Sequence, residues 1–460
     1  MKQESKKRIL VLITNTYAAI NFIHSGLVKS LSDEYDIFIL SSFIKERDLD
    51  NISRHFNVRL FSVNTPIPAE SRMIRFLRLA EKAVFFHFFK ITTQEIKNAG
   101  RGVLYKLFIK SLLGIIHGAG ISRVLLKLLR NNIIRLSKDR VNLKTFKTIG
   151  FSGVISSSPL DIRENSIVNA LRRENVPSLA TVISWDNLTS KGIINANHDY
   201  ILVWNQVMAD EYTLYYKIFN VANQKICITG IPRFDIYFRT PPTPDTELAF
   251  RKKYLFNRED KIILFATSAI SHFPNQTDIL EHLLEYASAH QDVKVIVRCH
   301  PGDDFERYSG YLHNANLRLV KARDRANINS AEFLPDLSVL TSLHEMLNYC
   351  DACIQVASTI CIEAAVCKTP VISIAYDGNR YLPYMKSVRR FYDYSHQQTL
   401  NNLGIDHRVY SKQDLFTALG NILCRQTSDV SRFQKIDAIT CHSAPIAIPT
   451  TMKYIQQWLS

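Results

Sequence analysis

Two stretches of the chain hold residues that could grip a phosphate. The first, Val295-Ile296-Val297-Arg298-Cys299-His300-Pro301-Gly302, is an apolar run that stops at a cation, an imidazole and a proline. The second, Ile354-Gln355-Val356-Ala357-Ser358-Thr359, stops at two hydroxyls, and a helical pattern containing Glu363 follows. Pro301 disfavours helix at the preceding residue and holds His300 extended. An imidazole placed this way can donate to a phosphate oxygen, a charge-assisted contact of about 1.5–3 kcal/mol. Ser358 or Thr359 is a natural helix N-cap, and the first N–H groups of a helix favour an anion. Glu363 falls one turn into the helix, within reach of ribose hydroxyls. With Arg298 as an added cation, the set suits a nucleotide phosphate and its ribose. The expected substrate is a nucleotide-activated group.

Other positions complete the candidate chemistry. Thr267 and Ser268 end the apolar run 261–266 and are candidates for the same phosphates. Asp377 and His396 are candidates for a base or sugar pocket. Asp303 and Asp304 follow a turn glycine and read as a solvated loop rather than a metal pair, so no metal site is expected. Nearer the N-terminus, Ser184-Trp185-Asp186-Asn187 follows another apolar run. Its indole could stack on a sugar, and Asp186 is a candidate general base for an acceptor hydroxyl. The plainer alternative is a capping aspartate beside a core tryptophan. Thr14, Asn15 and His24 follow the first strand, and His24 is the competing base.

These residues need strands that end at one edge. Apolar runs at 8–14, 35–40, 59–63, 153–156, 179–183, 200–204 and 225–229 alternate with helical patterns, and so do runs at 261–266, 293–298, 317–321, 352–356 and 370–374. Alternating strands and helices predict parallel sheets, and in such sheets ligands sit beyond the carboxyl ends of the strands. Residues 231–246 hold four prolines, which break helix and central strand alike. The domain division is therefore placed at 235/236. The fold class is α/β: two Rossmann-like αβα domains facing a cleft, spanning 1–235 and 236–445. A final helix within 446–460 is expected to cross back onto the first domain.

Length and composition fit this plan. At 460 residues the chain exceeds one ordinary core, and 46% hydrophobic with 22% charged residues is a globular balance. No window reaches the ~18 uninterrupted apolar residues of a membrane span, and the N-terminus lacks a cleavage pattern. A cytoplasmic location, peripheral at the inner face of the cell membrane, is expected. The eight cysteines read as reduced thiols, and the Cys350/Cys353 pair lacks a second pair at zinc spacing.

The net charge of +15 is concentrated. Residues 71–150 hold 17 Lys and Arg against Glu81, Glu95 and Asp139, a net of +14. Within the helical segment 71–147, Arg123, Lys127 and Arg130 recur among leucines at helical spacing. A cationic amphipathic helix suits an anionic membrane surface, with about 1 kcal/mol per engaged cation. No nucleic-acid module pattern appears, and nucleic acid is not an expected partner.

Taken together, His300-Pro301, Ser358-Thr359 and Glu363 resemble the GT-B glycosyltransferase superfamily. The resemblance is closest to bacterial surface-polysaccharide transferases of the capsule, Kdo and sialic acid types and to CDP-glycerol glycerophosphotransferases. In those families the His-Pro and Ser-Thr positions hold the donor's phosphates and the later Glu grips the ribose. Asp199 to Asn205 with Thr229 to Asp235 looks like their interdomain crossing. The resemblance implies transfer of a sugar from a CMP-, CDP- or UDP-linked donor to a glycan or lipid-linked acceptor. It implies no separate cofactor. The same fold also leaves open a glycerophosphotransferase, a UDP-HexNAc 2-epimerase and a non-catalytic membrane-docked scaffold. The acidic-acidic-Gly base motif of sialyltransferases and a Gly-rich loop are both missing.

Overall fold

A computed structural model describes residues 6–98, 103–219, 221, 223–239, 242–321, 332–424, 433 and 435–460. The described residues fall into two compact units. One comprises residues 1–235, 332–334 and 440–460; the other comprises 236–331 and 335–439.

The first unit is built on a seven-stranded parallel sheet. Its strands are β1 (Arg8–Ile13), β2 (Asp36–Ser41), β3 (Leu60–Ser62), β4 (Gly153–Ser156), β5 (Ser178–Thr181), β6 (Tyr200–Val203) and β7 (Lys225–Ile228), in the order β3-β2-β1-β4-β5-β6-β7. Ile9 through Ile13 are all buried, as continuous apolar runs are when helices cover both sheet faces. The order reverses between β1 and β4. The helical segment between β1 and β2 is broken: a π-helical turn spans Ile20–His24, and Gly26 at φ 86° separates it from the helix Leu27–Glu34.

The second unit carries a six-stranded parallel sheet. Its strands are β8 (Lys261–Ala266), β9 (Val293–Arg298), β10 (Leu317–Val320), β11 (Ala352–Gln355), β12 (Val371–Ile374) and β13 (Asp406–Val409), in the order β10-β9-β8-β11-β12-β13. Here the order reverses between β8 and β11. Strand β13 was not expected. Only Val409 of its four residues is buried, so this edge strand has no apolar run to betray it.

The window 229–235 anchors the C-terminal helix of the first unit. Asp235 accepts the N–H groups of Ala447 and Ile448 at 3.0 and 2.9 Å, capping the helix Ala447–Leu459. That helix brings Trp458 so close to Gly153 that a Cβ there would sit 2.5 Å from the ring.

The basic segment forms the helices Arg72–Phe88, Val103–Gly118 and Ser122–Lys138. The cationic face read from the sequence needs one correction. Arg130 is buried, and its guanidinium donates to the carbonyls of Ile194 and Ala196 at 3.0 and 2.8 Å. It is an internal clamp, because those carbonyls have no strand partner and need a donor. Beside exposed cations such as Arg72, Arg75 and Arg123, these helices also expose apolar side chains: Met73, Phe76, Leu79, Leu112, Ile115, Val124 and Leu128. Among the described residues no single helix is long and apolar enough to cross a membrane. Residues Ile109–Gly118 and Ser122–Lys138 pass together only as a pair bent by 108°.

Candidate functional site

In the second unit β9, β8 and β11 lie side by side and run parallel. Their carboxyl ends therefore share one edge. Ala266 is in register with Arg298, and Phe265 with Ile354. This brings Thr267 and Ser268, His300 and Pro301, and Ser358 and Thr359 to the reversal point of the sheet. The loops after β9 and β11 flank the loop after β8, so they are two strand spacings apart, about 10 Å.

Hydrogen bonds fix the first two loops. The His300 N–H donates to Thr267 Oγ1 at 2.8 Å. The Gly302 N–H donates to His300 Nδ1 at 2.8 Å. A ring nitrogen that accepts an N–H is unprotonated, so the neutral imidazole carries its proton on Nε2. The ring is thereby set as a donor. Gln276 clamps Ser268 on both sides, its side chain bonding the Ser268 N–H and carbonyl at 2.8 and 2.9 Å.

Asp303 is not the solvated loop residue expected from the turn glycine. It is buried, accepts from Tyr308 Oη at 2.6 Å, and burial raises its pKa. Thr267 also bonds its carboxylate, so Asp303 braces the loop that carries His300. Tyr308, with no charge of its own, gave no sequence signal for this pairing.

After β11 the chain turns through Ala357, whose φ is 39°. A non-glycine residue rarely occupies this left-handed region. The turn is held by Tyr392 Oη, which accepts the Ala357 N–H at 3.2 Å, and by Gln355 Oε1, which accepts the Ser358 N–H at 2.6 Å. Strain that neighbours enforce collects at functional turns. Thr359 occupies the cap position of the short helix Ile360–Val366 in a helical conformation and makes no side-chain cap bond. Its hydroxyl and that of Ser358 are half-buried at the edge, not spent on capping.

Arg298 and Glu363 are placed differently. The Arg298 guanidinium points to the helix Val339–Tyr349, donating to the Val339 carbonyl at 3.4 Å. Burial lowers its pKa, and the Tyr237 hydroxyl and Glu363 carboxylate oppose that shift. Glu363 is thus a buried counter-charge to Arg298. Asp377, also buried, accepts the Val388 N–H at 2.9 Å and ties down its own loop. His396 stands at the start of the helix Gln397–Leu403.

In the first unit Asp186 is half-buried and accepts from Ser184 Oγ and Ser190 Oγ at 2.5 and 2.6 Å. The Trp185 ring is buried, so it offers no stacking face to a sugar. His24 is buried too, with Nδ1 3.2 Å from the Ala19 carbonyl.

One residue escaped the sequence reading. Glu164 sits at the reversal point of the first sheet, fully buried. It accepts from Thr14 Oγ1 (2.7 Å), Ser156 Oγ (2.6 Å) and the Ser158 N–H (2.8 Å). Burial pushes its pKa up to about 7, against these donors. The signal was available: Ser156-Ser157-Ser158 ends β4, and Glu164 lies one turn into the next helix, the same pattern as Ser358 to Glu363. The two reversal points therefore differ. The first is filled by a carboxyl group, and the second is edged by hydroxyls and an N–H donor.

A family model described as CDP-Glycerol:Poly(glycerophosphate) glycerophosphotransferase matches residues 189–442, more than half of the chain. The chain belongs to this family. The matched region of this glycerophosphotransferase-family chain contains Thr267, Ser268, Arg298, His300, Pro301, Ser358, Thr359 and Glu363; His24 and Asp186 lie outside it. The chain is 26% identical over 182 residues to the teichoic acid poly(ribitol-phosphate) polymerase of Bacillus spizizenii, covering 38% of this chain and 26% of that protein. It is 24% identical over 185 residues to the teichoic acid ribitol-phosphate polymerase TarK of Staphylococcus aureus, covering 39% and 32%. The matched part thus spans only 26% to 32% of these relatives' length. Among solved structures, a UDP-GlcNAc 2-epimerase from Neisseria meningitidis bound to UDP-GlcNAc superposes with a TM-score of 0.53 at 11% identity, covering 98% of this chain and all of that one. At that identity the likeness shows the fold alone, two Rossmann-like parallel α/β units of GT-B type.

Proposed function

We propose that this chain transfers a polyol phosphate from a CDP-linked polyol to a hydroxyl of a polyol-phosphate or glycan acceptor, in the building of a cell-wall polymer. Among the alternatives open from the sequence, the family match favours this one over sugar transfer. The observation that carries it is the edge of the second sheet, where an Nε2–H donor at His300 and the Ser358 and Thr359 hydroxyls lie along the same strand ends inside the matched region.

In the proposed step the acceptor hydroxyl oxygen attacks the phosphorus that carries the polyol. A new P–O bond forms, the bond from that phosphorus to the oxygen shared with CMP breaks, and CMP leaves with the electron pair. The His300 N–H and the Ser358 and Thr359 hydroxyls stabilise charge on the phosphate oxygens. Arg298 and Glu363 act beneath as a positioning pair. Asp186 is the proposed acceptor of the hydroxyl proton, with His24 as the second candidate. The step uses no separate cofactor. The exposed apolar residues of the basic helices, among Arg72, Arg75, Lys127 and Arg135, are proposed to rest on an anionic membrane surface.

The test is calorimetric. CDP titrated into the protein and into His300→Ala should show at least a tenfold loss of affinity in the variant, about 1.4 kcal/mol. Unchanged affinity, with the variant folded, removes His300 from the phosphate grip.

A further inference from the structure

The first unit holds a cavity of about 200 Å³ whose lining includes Arg75, Arg78, Lys82, Lys191, Glu70 and Glu81. Two of these are already satisfied: Arg78 donates to Glu70 at 2.7 Å and to the Leu160 carbonyl at 3.2 Å. Arg75, Lys82 and Lys191 remain, and among the described residues no carboxylate forms an ion pair with them. Lys82 is partly buried, beside Gly192 at φ 111° and with Nζ 5.5 Å from the Phe86 ring centre. Burial lowers its pKa to about 8, and the charges that lower it further are all cations: Lys97, Lys191 and Arg78. Lys97 is lowered likewise by burial and by Lys191, with Asp186 as its opposing charge. Like charges gathered in a partly desolvated pocket oppose one another, and an anion relieves that cost.

Glu81 supplies only part of that charge near neutral pH. Its Oε2 accepts from Asn195 at 3.0 Å, and burial raises the carboxyl to about 7. Its buried Oε1 has no partner among the described residues. When protonated, Glu81 is a donor in the same pocket. Arg75, Arg78, Leu79 and Lys82 form one stripe of the helix Arg72–Phe88, and Leu79 is 62% exposed.

We infer that this pocket is a second anion site, separate from the His300 edge, which takes the phosphate of a phosphodiester. Lys191 ends the short helix Asn187–Ser190 that Asp186 begins, so the site would hold the acceptor's phosphodiester near the residue proposed to take its proton. That role rests on the function proposed above; the anion site itself does not. A soluble glycerol-phosphate oligomer and the headgroup of phosphatidylglycerol share this chemistry, and the test separates them.

With CDP present in excess to occupy the donor site, a short glycerol-phosphate oligomer is titrated into the full chain and into Lys82→Gln/Lys191→Gln. Binding of phosphatidylglycerol vesicles is measured on the same proteins. A control, Lys90→Gln/Lys110→Gln, removes the same charge elsewhere in the basic segment. The inference predicts at least a tenfold loss in the pocket variant and less than a twofold change in the control. A loss confined to the oligomer assigns the site to the acceptor, and a loss confined to vesicles assigns it to a lipid headgroup; either supports the phosphodiester site. Equal losses in both variants, or none in the pocket variant, overturn it. Lys82→Arg/Lys191→Arg should restore binding, which excludes misfolding. CDP affinity of the pocket variant should stay unchanged, so failure of the donor assignment is read separately.

Discussion

His300 shows how one backbone contact sets a side chain's chemistry. The Gly302 N–H occupies Nδ1, so the neutral ring can only donate from Nε2. The motif His-Pro-Gly was legible in the sequence, but the contact that fixes its tautomer was not, since it depends on how the loop closes. The orientation of Arg130 and Trp185 was equally hidden: side-chain type and spacing do not reveal which carbonyls or helices will face them. Buried carboxyls give a test at this scale. Glu81 has its pKa raised to about 7 by burial, above its ordinary value in the unfolded chain. The folded state therefore holds the extra proton, and the stability this contributes is present below about pH 4.3 and is lost as the pH rises through 7. Glu81→Gln keeps an acceptor for Asn195 without the titration. It should flatten the fall in stability between pH 5 and 8 by roughly 2–3 kcal/mol in denaturant melts. Parallel profiles for the two proteins would show that Glu81 is not held protonated.

Strands were the most legible elements, because a strand covered by helices on both faces must be apolar throughout. Twelve of the thirteen strands among the described residues correspond to apolar runs, and β13 does not because three of its four residues, Asp406, His407 and Arg408, are polar. The sheet order, and with it the reversal between β8 and β11, came only from the fold. That reversal is what brings Thr267, His300 and Ser358 to one edge although they are far apart in the chain. The turn after β11 is the sharpest element of the site. Ala357 sits at φ 39°, where a β-branched side chain is strongly disfavoured. Ala357→Val should lower the melting temperature and weaken CDP binding together, whereas Ala357→Gly should retain binding, as measured by thermal melts with and without CDP. A valine variant that binds CDP normally would show that the turn is not part of the site.

The charge of the whole molecule is lopsided, and its exposed apolar side chains gather on the same basic helices: Phe76 is 67% and Val124 58% exposed. Apolar contact and cationic attraction would act together on an anionic bilayer. Binding to phosphatidylglycerol vesicles should weaken as salt rises, since screening shortens to about 3 Å at 1 M. Phe76→Ser/Val124→Ser should reduce the binding that persists at high salt. Vesicle affinity indifferent to both would leave these helices as an ordinary solvated layer. The central claim concerns what is transferred. Purified protein should be offered CDP-glycerol, CDP-ribitol and UDP-GlcNAc in turn, with and without a glycerol-phosphate oligomer, and the products weighed by mass spectrometry. The account predicts CMP release and an oligomer heavier by one polyol phosphate, only with a CDP-linked polyol and only with acceptor present. An oligomer heavier by one sugar, or UDP-GlcNAc converted without acceptor, would contradict it.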